Sequence, residues 1–168
     1  MAAAAPLLCA GITTYSPLRH WNVGKGMRVG IVGLGGLGHL AIKLAYAMGA
    51  EVFLFTTSAG KVQDAKKLGA SHVILSNKPE EMEKFKSSFD FILDTVAASH
   101  ELDPFITLLK RDKAMCVVGL PEHPHPSPNV GLLIEKRRSF AGSLIGGLKE
   151  TQEMLDFCER ITLRLTSS

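Results

Sequence analysis

The sequence predicts an α/β fold in which six parallel strands form a doubly wound sheet. Two observations lead to this prediction: short apolar runs alternate with helical segments from Gly26 onward, and a glycine cluster at residues 33–38 separates the first run from the first helix. Apolar strands that alternate with helices are typical of a parallel sheet covered on both faces. The right-handed crossover rule then favours the strand order 3-2-1-4-5-6.

The individual elements follow from apolar periodicity and from the residues that interrupt it. The predicted strands are short apolar runs at residues 27–32, 51–55, 72–75, 89–94, 114–118 and 139–143. The first helix follows the glycine cluster, has apolar residues at helical spacing and is expected to end at Gly49. Further helices are predicted at residues 61–68, 79–86, 100–109 and 150–159, and a proline-rich loop is predicted at residues 121–128.

Composition fits a single globular domain without a membrane or nucleic-acid partner. The chain has 168 residues, of which 46% are hydrophobic and 21% charged, within the range of about 100–200 residues for one domain. It contains no long uncharged apolar stretch and no signal peptide, so a cytoplasmic location is expected. The net charge is only +3. The one basic run, Lys136 to Arg138, is interpreted as a solvated surface feature.

The first 25 residues do not follow the alternation of strands and helices. Residues 2–18 are mostly small and apolar, and we expect them to be helical in part. We therefore interpret residues 1–25 as a lead-in from another domain, and residues 26–168 as a nucleotide-binding Rossmann domain. Both ends of the chain are expected to be cut from a longer protein.

The glycine cluster predicts a turn that binds a pyrophosphate. It follows a strand and opens an amphipathic helix, which is the context that the G-x-G-x-x-G fingerprint requires. Gly33 permits the tight turn, Gly35 removes a side chain that would block the phosphates, and Gly38 lets the helix approach the strand. The intervening Leu34, Gly36 and Leu37 would complete the turn, whose N–H groups hold the anion. The alternative is a structural turn without a ligand.

The end of the second strand favours NADP(H) over NAD(H). An NAD site usually places a carboxylate about 20 residues after the glycines, whereas this sequence has Thr56, Thr57 and Ser58 followed by Lys61. Hydroxyl groups and an ammonium can bind a 2′-phosphate, which a carboxylate would repel. Alternatively, the hydroxyls cap the next helix and Lys61 is a solvated charge. The two interpretations are compatible.

Other proteins that use this fold are disfavoured by missing residues. Short-chain reductases need a Tyr-x-x-x-Lys pair, but the residues four positions after Tyr15 and Tyr46 are Arg19 and Ala50. A methyltransferase would also require the acidic residue that is missing after the second strand.

Histidine and cysteine spacing does not indicate a self-contained metal site. Cys116 and Cys158 are interpreted as small buried apolar residues. His39 is expected to pack beside the glycine turn. His123 and His125 lie in a proline-rich loop that fixes no geometry, and no third ligand is nearby in sequence.

A longer set of motifs resembles the medium-chain, zinc-dependent alcohol dehydrogenases of the cinnamyl alcohol dehydrogenase type. Residues 4–18 are similar to the segment that joins the two domains of those enzymes. The similarity covers about residues 2–160 and continues through the motifs GLGGLGH at 33–39, DTV at 94–96, GSLIG at 142–146 and KET at 149–151.

The resemblance assigns roles to particular positions. It makes Cys9 one of the ligands of a catalytic zinc ion and places Thr13 near the cofactor phosphates. Residues 33–38 would form the pyrophosphate turn, and residues 56–61 the 2′-phosphate pocket. The path from the adenosine to the nicotinamide would be lined by Thr95, Gly119, Ser143, Leu144 and Ile145.

The resemblance also implies a reaction, namely reversible hydride transfer between NADP(H) and an aldehyde or primary alcohol, with zinc polarising the carbonyl. A homodimer through residues 140–146, at the edge of the sheet, is expected as well. The GroES-like catalytic domain of the family, with its other zinc ligands and its cysteine cluster, is absent from the chain. The chain alone is therefore expected to be inactive. The alternative is a non-catalytic NADP-binding sensor or partner-binding module.

Overall fold

A computed structural model of the chain describes residues 5–166, with side chains for residues 7–161. Residues 1–4 of the expected lead-in, and residues 167 and 168, lie outside this description. The strands are β1 (Arg28–Val32), β2 (Glu51–Thr56), β3 (His72–Leu75), β4 (Phe89–Asp94), β5 (Leu109–Val117) and β6 (Ser139–Gly142). The helices of the described residues are α1 (Ala10–His20), α2 (Gly36–Ala47), α3 (Val62–Leu68), α4 (Pro79–Glu83), α5 (Asp103–Ile106), α6 (Val130–Glu135) and α7 (Leu148–Thr166).

The strands form one parallel sheet in the order β3-β2-β1-β4-β5-β6. The predicted fold class and strand order are therefore confirmed. After β1 the chain adds β2 and β3 on one side of the sheet, and it then crosses over to add β4, β5 and β6 on the other. The carboxyl ends of β1 and β4 consequently form a switch point, where doubly wound sheets bind ligands.

The sheet is buried on both faces because alternate side chains of each strand point to opposite sides. On β2, Val52 and Leu54 belong to one buried cluster, whereas Phe53 and Phe55 belong to the other. The first cluster includes side chains of α1, α2 and α7. The second includes Met82 of α4 and residues of α5. This arrangement explains why the strands have continuous apolar sequences rather than alternating polar ones.

Helix α1 lies within the expected lead-in segment and packs into the core of the sheet. Ile12, Tyr15 and Leu18 are at most 3% exposed and join the cluster that contains β1 and α2. The Tyr15 ring also lies against Phe157 of α7, with their centroids 5.7 Å apart. The segment before the first strand is thus a structural part of this unit.

The predicted helix at residues 100–109 is wrong in extent. The structure has only α5, with Pro104 in its first turn, and β5 already begins at Leu109. The first part of β5 was not predicted because its charged residues do not form an apolar run. In the structure this part pairs with β4 in an irregular register. Within it, Lys110 forms an ion pair of 3.0 Å with Asp90.

Two helices differ from the predictions near the end of the chain. No helix was predicted between residues 128 and 139, but the structure has α6 there. The Asn129 side chain caps its start by accepting the N–H of Gly131 at 2.9 Å. Helix α7 begins earlier and ends later than the predicted residues 150–159. No helix among the described residues combines the length and apolar character needed to cross a membrane.

The interpretation of the basic run as solvated is wrong for Arg138. Its side chain is only 7% exposed, and burial lowers the pKa of its guanidinium. The guanidinium donates hydrogen bonds to the carbonyl oxygens of Leu109, Leu132 and Thr107 at 2.9, 2.8 and 3.2 Å. A planar group with five donors suits this task, and Arg138 thus joins β6 to the start of β5 and to α6.

Candidate functional site

A cavity of about 700 Å³ opens at the carboxyl ends of β1, β2 and β4. Its volume lies within the range of about 300–1,000 Å³ that is usual for small-molecule sites. Nine of the predicted site residues line it: Gly33, Leu34, Gly35, Gly36, Leu37, Thr56, Thr57, Lys61 and Thr95. The structure therefore brings together the glycine turn and the residues that follow the second strand.

The glycines of the turn differ in whether the protein itself requires them. Gly33 has a φ of +88°, a conformation that side chains disfavour. A Cβ atom at Gly38 would lie 2.1 Å from the carbonyl oxygen of Gly33. At Gly35 and Gly36, by contrast, a Cβ atom would meet no described atom within 4 Å, and the φ of Gly35 is −107°. Neither backbone conformation nor packing requires glycine at Gly35.

Helix α2 presents its N-terminus to this cavity. Gly35 is the N-cap residue and supplies no side-chain hydrogen bond, and the first turn contains no acidic residue. The N–H groups of a first helical turn have no partner within the helix, and they carry the positive end of the helix dipole. The arrangement offers donors and positive potential to an anion.

Lys61 reaches from the loop after β2 to the glycine turn, where its ammonium donates a 3.2 Å hydrogen bond to the carbonyl oxygen of Leu34. The Oγ1 atom of Thr56 accepts the N–H of Ser58 at 3.2 Å, and Thr57 is exposed. Ser58 is not part of the lining. The alternative that these hydroxyls cap the next helix finds no support, because neither the short 3₁₀ turn at Ala59–Lys61 nor α3 has a side-chain cap.

The far wall of the cavity comes from residues that the sequence analysis did not single out. They follow β3 and β4 or belong to α5: Ser76, Val96, Ala97, His100, Glu101, Pro104 and Phe105. Their position after the strand ends was the available signal. Among the described residues that line the cavity, Glu101 is the only acidic one. Because Glu101 follows β4, the lining has no carboxylate after β2.

Thr95 lines the cavity and also supports the turn, whereas Gly119 lies outside the lining. The Thr95 hydroxyl donates a 2.8 Å hydrogen bond to the carbonyl oxygen of Val32, at the end of β1. Gly119 is buried, and a Cβ atom there would lie 2.3 Å from the carbonyl oxygen of Val96. Gly119 therefore allows the segment after β5 to lie against the segment after β4.

Four of the predicted residues lie away from the cavity lining: Thr13, Ser143, Leu144 and Ile145. Thr13 is 6% exposed within α1 and is not in the lining. Ser143, Leu144 and Ile145 follow β6, two strands away from β4 in the sheet. Leu144 is 80% exposed.

Cys9 is exposed and immediately precedes α1. A catalytic zinc ion needs about three protein ligands, and among the described residues Cys9 has no companions in a metal-binding cluster. The residues present therefore do not form the zinc site that the resemblance implies. Cys116 is buried as predicted, and burial raises the pKa of its thiol to about 12.

Two histidines near the turn have perturbed protonation. The Asp94 carboxylate raises the pKa of His100, against the opposite effect of burial. Partial burial and the nearby Lys43 ammonium lower the pKa of His39. His39 lines a second cavity together with Gly35, Gly36 and Lys61.

Comparisons with known proteins bear on this site. A family profile described as zinc-binding dehydrogenase matches residues 36–160. The aldehyde reductase YahK of Escherichia coli (strain K12) is 65% identical over 158 residues, which cover 94% of this chain and 45% of that protein. A cinnamyl alcohol dehydrogenase of Sorghum bicolor has a TM-score of 0.88 and 41% identity over 92% of this chain and 44% of its own.

A second solved structure, CAD from Helicobacter pylori, is complexed with NADP(H). It has a TM-score of 0.82 and 46% identity, over 91% of this chain and 43% of its own. The chain spans about half the length of the curated relatives it matches.

Proposed function

Because this chain belongs to the zinc-binding dehydrogenase family, we propose that it is the NADP(H)-binding part of an alcohol dehydrogenase that interconverts aldehydes and primary alcohols. The observation that carries the proposal is the open space beside Gly35 and Gly36 in the main cavity. Nothing in the described part of the protein requires a glycine at position 35. A ligand that approaches the backbone closely would explain why the residue there is glycine.

Different residues of the chain bind different parts of the cofactor. The first turn of α2 binds the pyrophosphate through its N–H groups. Lys61, with the Thr56 and Thr57 hydroxyls, binds the 2′-phosphate of the adenosine ribose, because charge-assisted hydrogen bonds favour a dianion there. Thr95 positions the turn through its bond to Val32.

The bound cofactor supplies the hydride, and the chain holds it at the switch point of the sheet. Cys9 lacks further ligands among the described residues, so we assign no reaction step to zinc. We propose that Cys9 joins ligands from another part of the complete enzyme. The enzyme names of the similar proteins favour this function over a non-catalytic sensor.

We expect the 168-residue chain to bind NADPH but to catalyse no aldehyde reduction. Binding needs only the turn and the end of β2, whereas the zinc site needs ligands that the described residues do not supply. The fluorescence of NADPH is measured during titration with the chain. Consumption of NADPH is then followed with cinnamaldehyde and added Zn²⁺. Absence of binding would contradict the assigned cofactor, and turnover would contradict the division of the enzyme into two parts.

We also propose that the chain forms a homodimer through the edge of the sheet at β6. Residues of β6 and just after it expose apolar side chains, with Phe140 38% and Leu144 80% accessible. An exposed apolar edge is a template for another strand. Sedimentation velocity at micromolar concentration is expected to show a dimer that Leu144→Asp weakens. Leu120→Asp, at another exposed leucine (83% accessible), is the control; a monomer in the unaltered chain contradicts the proposal.

A further inference from the structure

Three buried polar atoms converge beside the cavity without hydrogen-bond partners. They are Oδ2 of Asp94, Nε2 of His100 and Nε2 of His125, each inaccessible to solvent and without a hydrogen bond among the described residues. Leaving such a group unsatisfied costs about 1–3 kcal/mol. Native proteins rarely leave several together unless water or an ion completes the cluster. The Asp94 side chain is fully buried, so its charge requires a counter-charge.

The three side chains are close enough to share one ion. One ligand atom from each residue lies within 4.8 Å of the other two, and Oδ2 of Asp94 is 3.0 Å from Nε2 of His100. Tetrahedral zinc with bonds of about 2.0–2.2 Å sets its ligand atoms about 3.3–3.6 Å apart.

The second polar atom of each side chain is already held by the protein. Oδ1 of Asp94 accepts the N–H of Val96 at 3.0 Å, which leaves Oδ2 to another partner. Nδ1 of His100 lies 2.9 Å from the carbonyl oxygen of Ala98. Nδ1 of His125 accepts the backbone N–H of His100 at 3.3 Å and lies 3.3 Å from the carbonyl oxygen of the same residue. A ring that donates its Nδ1–H to a carbonyl, as His100 is placed to do, presents the Nε2 lone pair, as histidine ligands of metals usually do. On binding a metal, His125 would take the same tautomer and turn its Nδ1–H to the carbonyl oxygen of His100.

We propose that Asp94, His100 and His125 form a binding site for a divalent transition-metal ion of the zinc class. Two imidazoles and one carboxylate suit Zn²⁺, Co²⁺ or Ni²⁺, whereas Mg²⁺ and Ca²⁺ prefer oxygen ligands alone. A protonated His100 paired with Asp94 is the alternative. It explains less, because it leaves Nε2 of His125 unsatisfied.

This site is separate from Cys9 and has a structural consequence of its own. His125 lies in the proline-rich loop between β5 and α6, whereas Asp94 ends β4. His100 lines the main cavity. A metal ion here would fasten the loop to the switch point of the sheet, where Ser99 already donates a 2.9 Å hydrogen bond to the carbonyl oxygen of Pro124. The expectation that His125 has no third ligand nearby is therefore wrong for the folded chain.

The test uses the 168-residue chain with Cys9→Ser, so that the exposed thiol cannot bind the metal. The chelator-treated protein is titrated with Co²⁺, whose visible absorption reports its coordination, and with Zn²⁺ by calorimetry. We expect one ion per chain and a higher Tm with metal, because binding to the native state stabilises it. His125→Ala should weaken binding at least about a hundredfold, since loss of a supporting partner alone weakens metal binding about 10–100-fold.

His123→Ala is the matched control, because His123 is an exposed histidine in the same loop and is not in the cluster. It should bind the metal as the parent does. His100→Gln, tested in parallel, should lose binding while the apo protein keeps its circular dichroism spectrum. Equal affinity in the His123→Ala and His125→Ala variants would overturn the proposal. So would the absence of binding to the parent at about 100 μM metal, which would leave the protonated His100–Asp94 pair as the explanation.

Discussion

Gly35→Ser is expected to weaken NADPH binding by roughly ten- to a hundredfold while the free energy of unfolding stays within about 1 kcal/mol of the parent value. Serine is a favourable N-cap residue, and its side chain would enter space that no described atom occupies. Its hydroxyl would compete with the pyrophosphate for the N–H groups of α2. Those charge-assisted hydrogen bonds contribute about 1.5–3 kcal/mol each. Calorimetric titration and urea unfolding measure the two quantities.

Gly38→Ala serves as the opposite case, because its Cβ atom would lie 2.1 Å from a backbone carbonyl oxygen. Overpacking of this kind costs about 1–3 kcal/mol or more, so this variant should lose stability, and the loss of binding should follow from the displaced turn. If Gly35→Ser bound NADPH as tightly as the parent, the open side of the turn would not be the phosphate site.

Lys61→Ala is expected to lower the affinity for NADPH by about tenfold or more without changing the affinity for NADH. The ammonium lies at the glycine turn, and only NADPH carries the 2′-phosphate that it would bind. One charge-assisted hydrogen bond contributes about 1.5–3 kcal/mol, and the exposure of Lys61 makes the lower end appropriate because solvent and salt screen the charge. Lys66→Ala, an exposed lysine on α3, is the control.

Thr56→Asp should reverse the preference for NADPH. An aspartate could still accept the Ser58 N–H that Thr56 accepts now, and its charge would oppose the 2′-phosphate while suiting the ribose hydroxyls of NADH. Thr56 is only 5% exposed, so circular dichroism must show that the variant is folded. Equal affinities of the unaltered chain for NADPH and NADH would contradict the assignment of this pocket.

The fold was predictable because local signals and topology agree. Apolar runs such as those of β1 and β4 leave few alternatives to a parallel sheet, and the crossover rule then determines their order. The family resemblance is likewise confirmed by the profile match and the relatives. β5 was partly missed because Lys110 to Lys113 give it a polar sequence, and only the tertiary ion pairs with Asp90 explain charge at that position.

The candidate site was predictable where its residues adjoin in sequence and less so elsewhere. The glycine turn and the end of β2 have local signatures, and the structure places both in one cavity. The cluster of Asp94, His100 and His125 has none, because its members come together only when the loop after β5 folds back on the end of β4. Arg138 was misassigned for the same reason, since its partners are backbone carbonyls of distant segments.

The packing of α1 decides where this unit can be exchanged between enzymes. Ile12 and Leu18 are as buried as residues of the central strands, so a chimera joined just before β1 would graft a sheet without one of its covering helices. Loss of α1 would expose the apolar face of α2, and a helix of the other enzyme would then have to cover it. A junction ahead of Ala10 keeps α1 and α2 together. If it is placed before Cys9, it also keeps Cys9 at a fixed distance from the glycine turn.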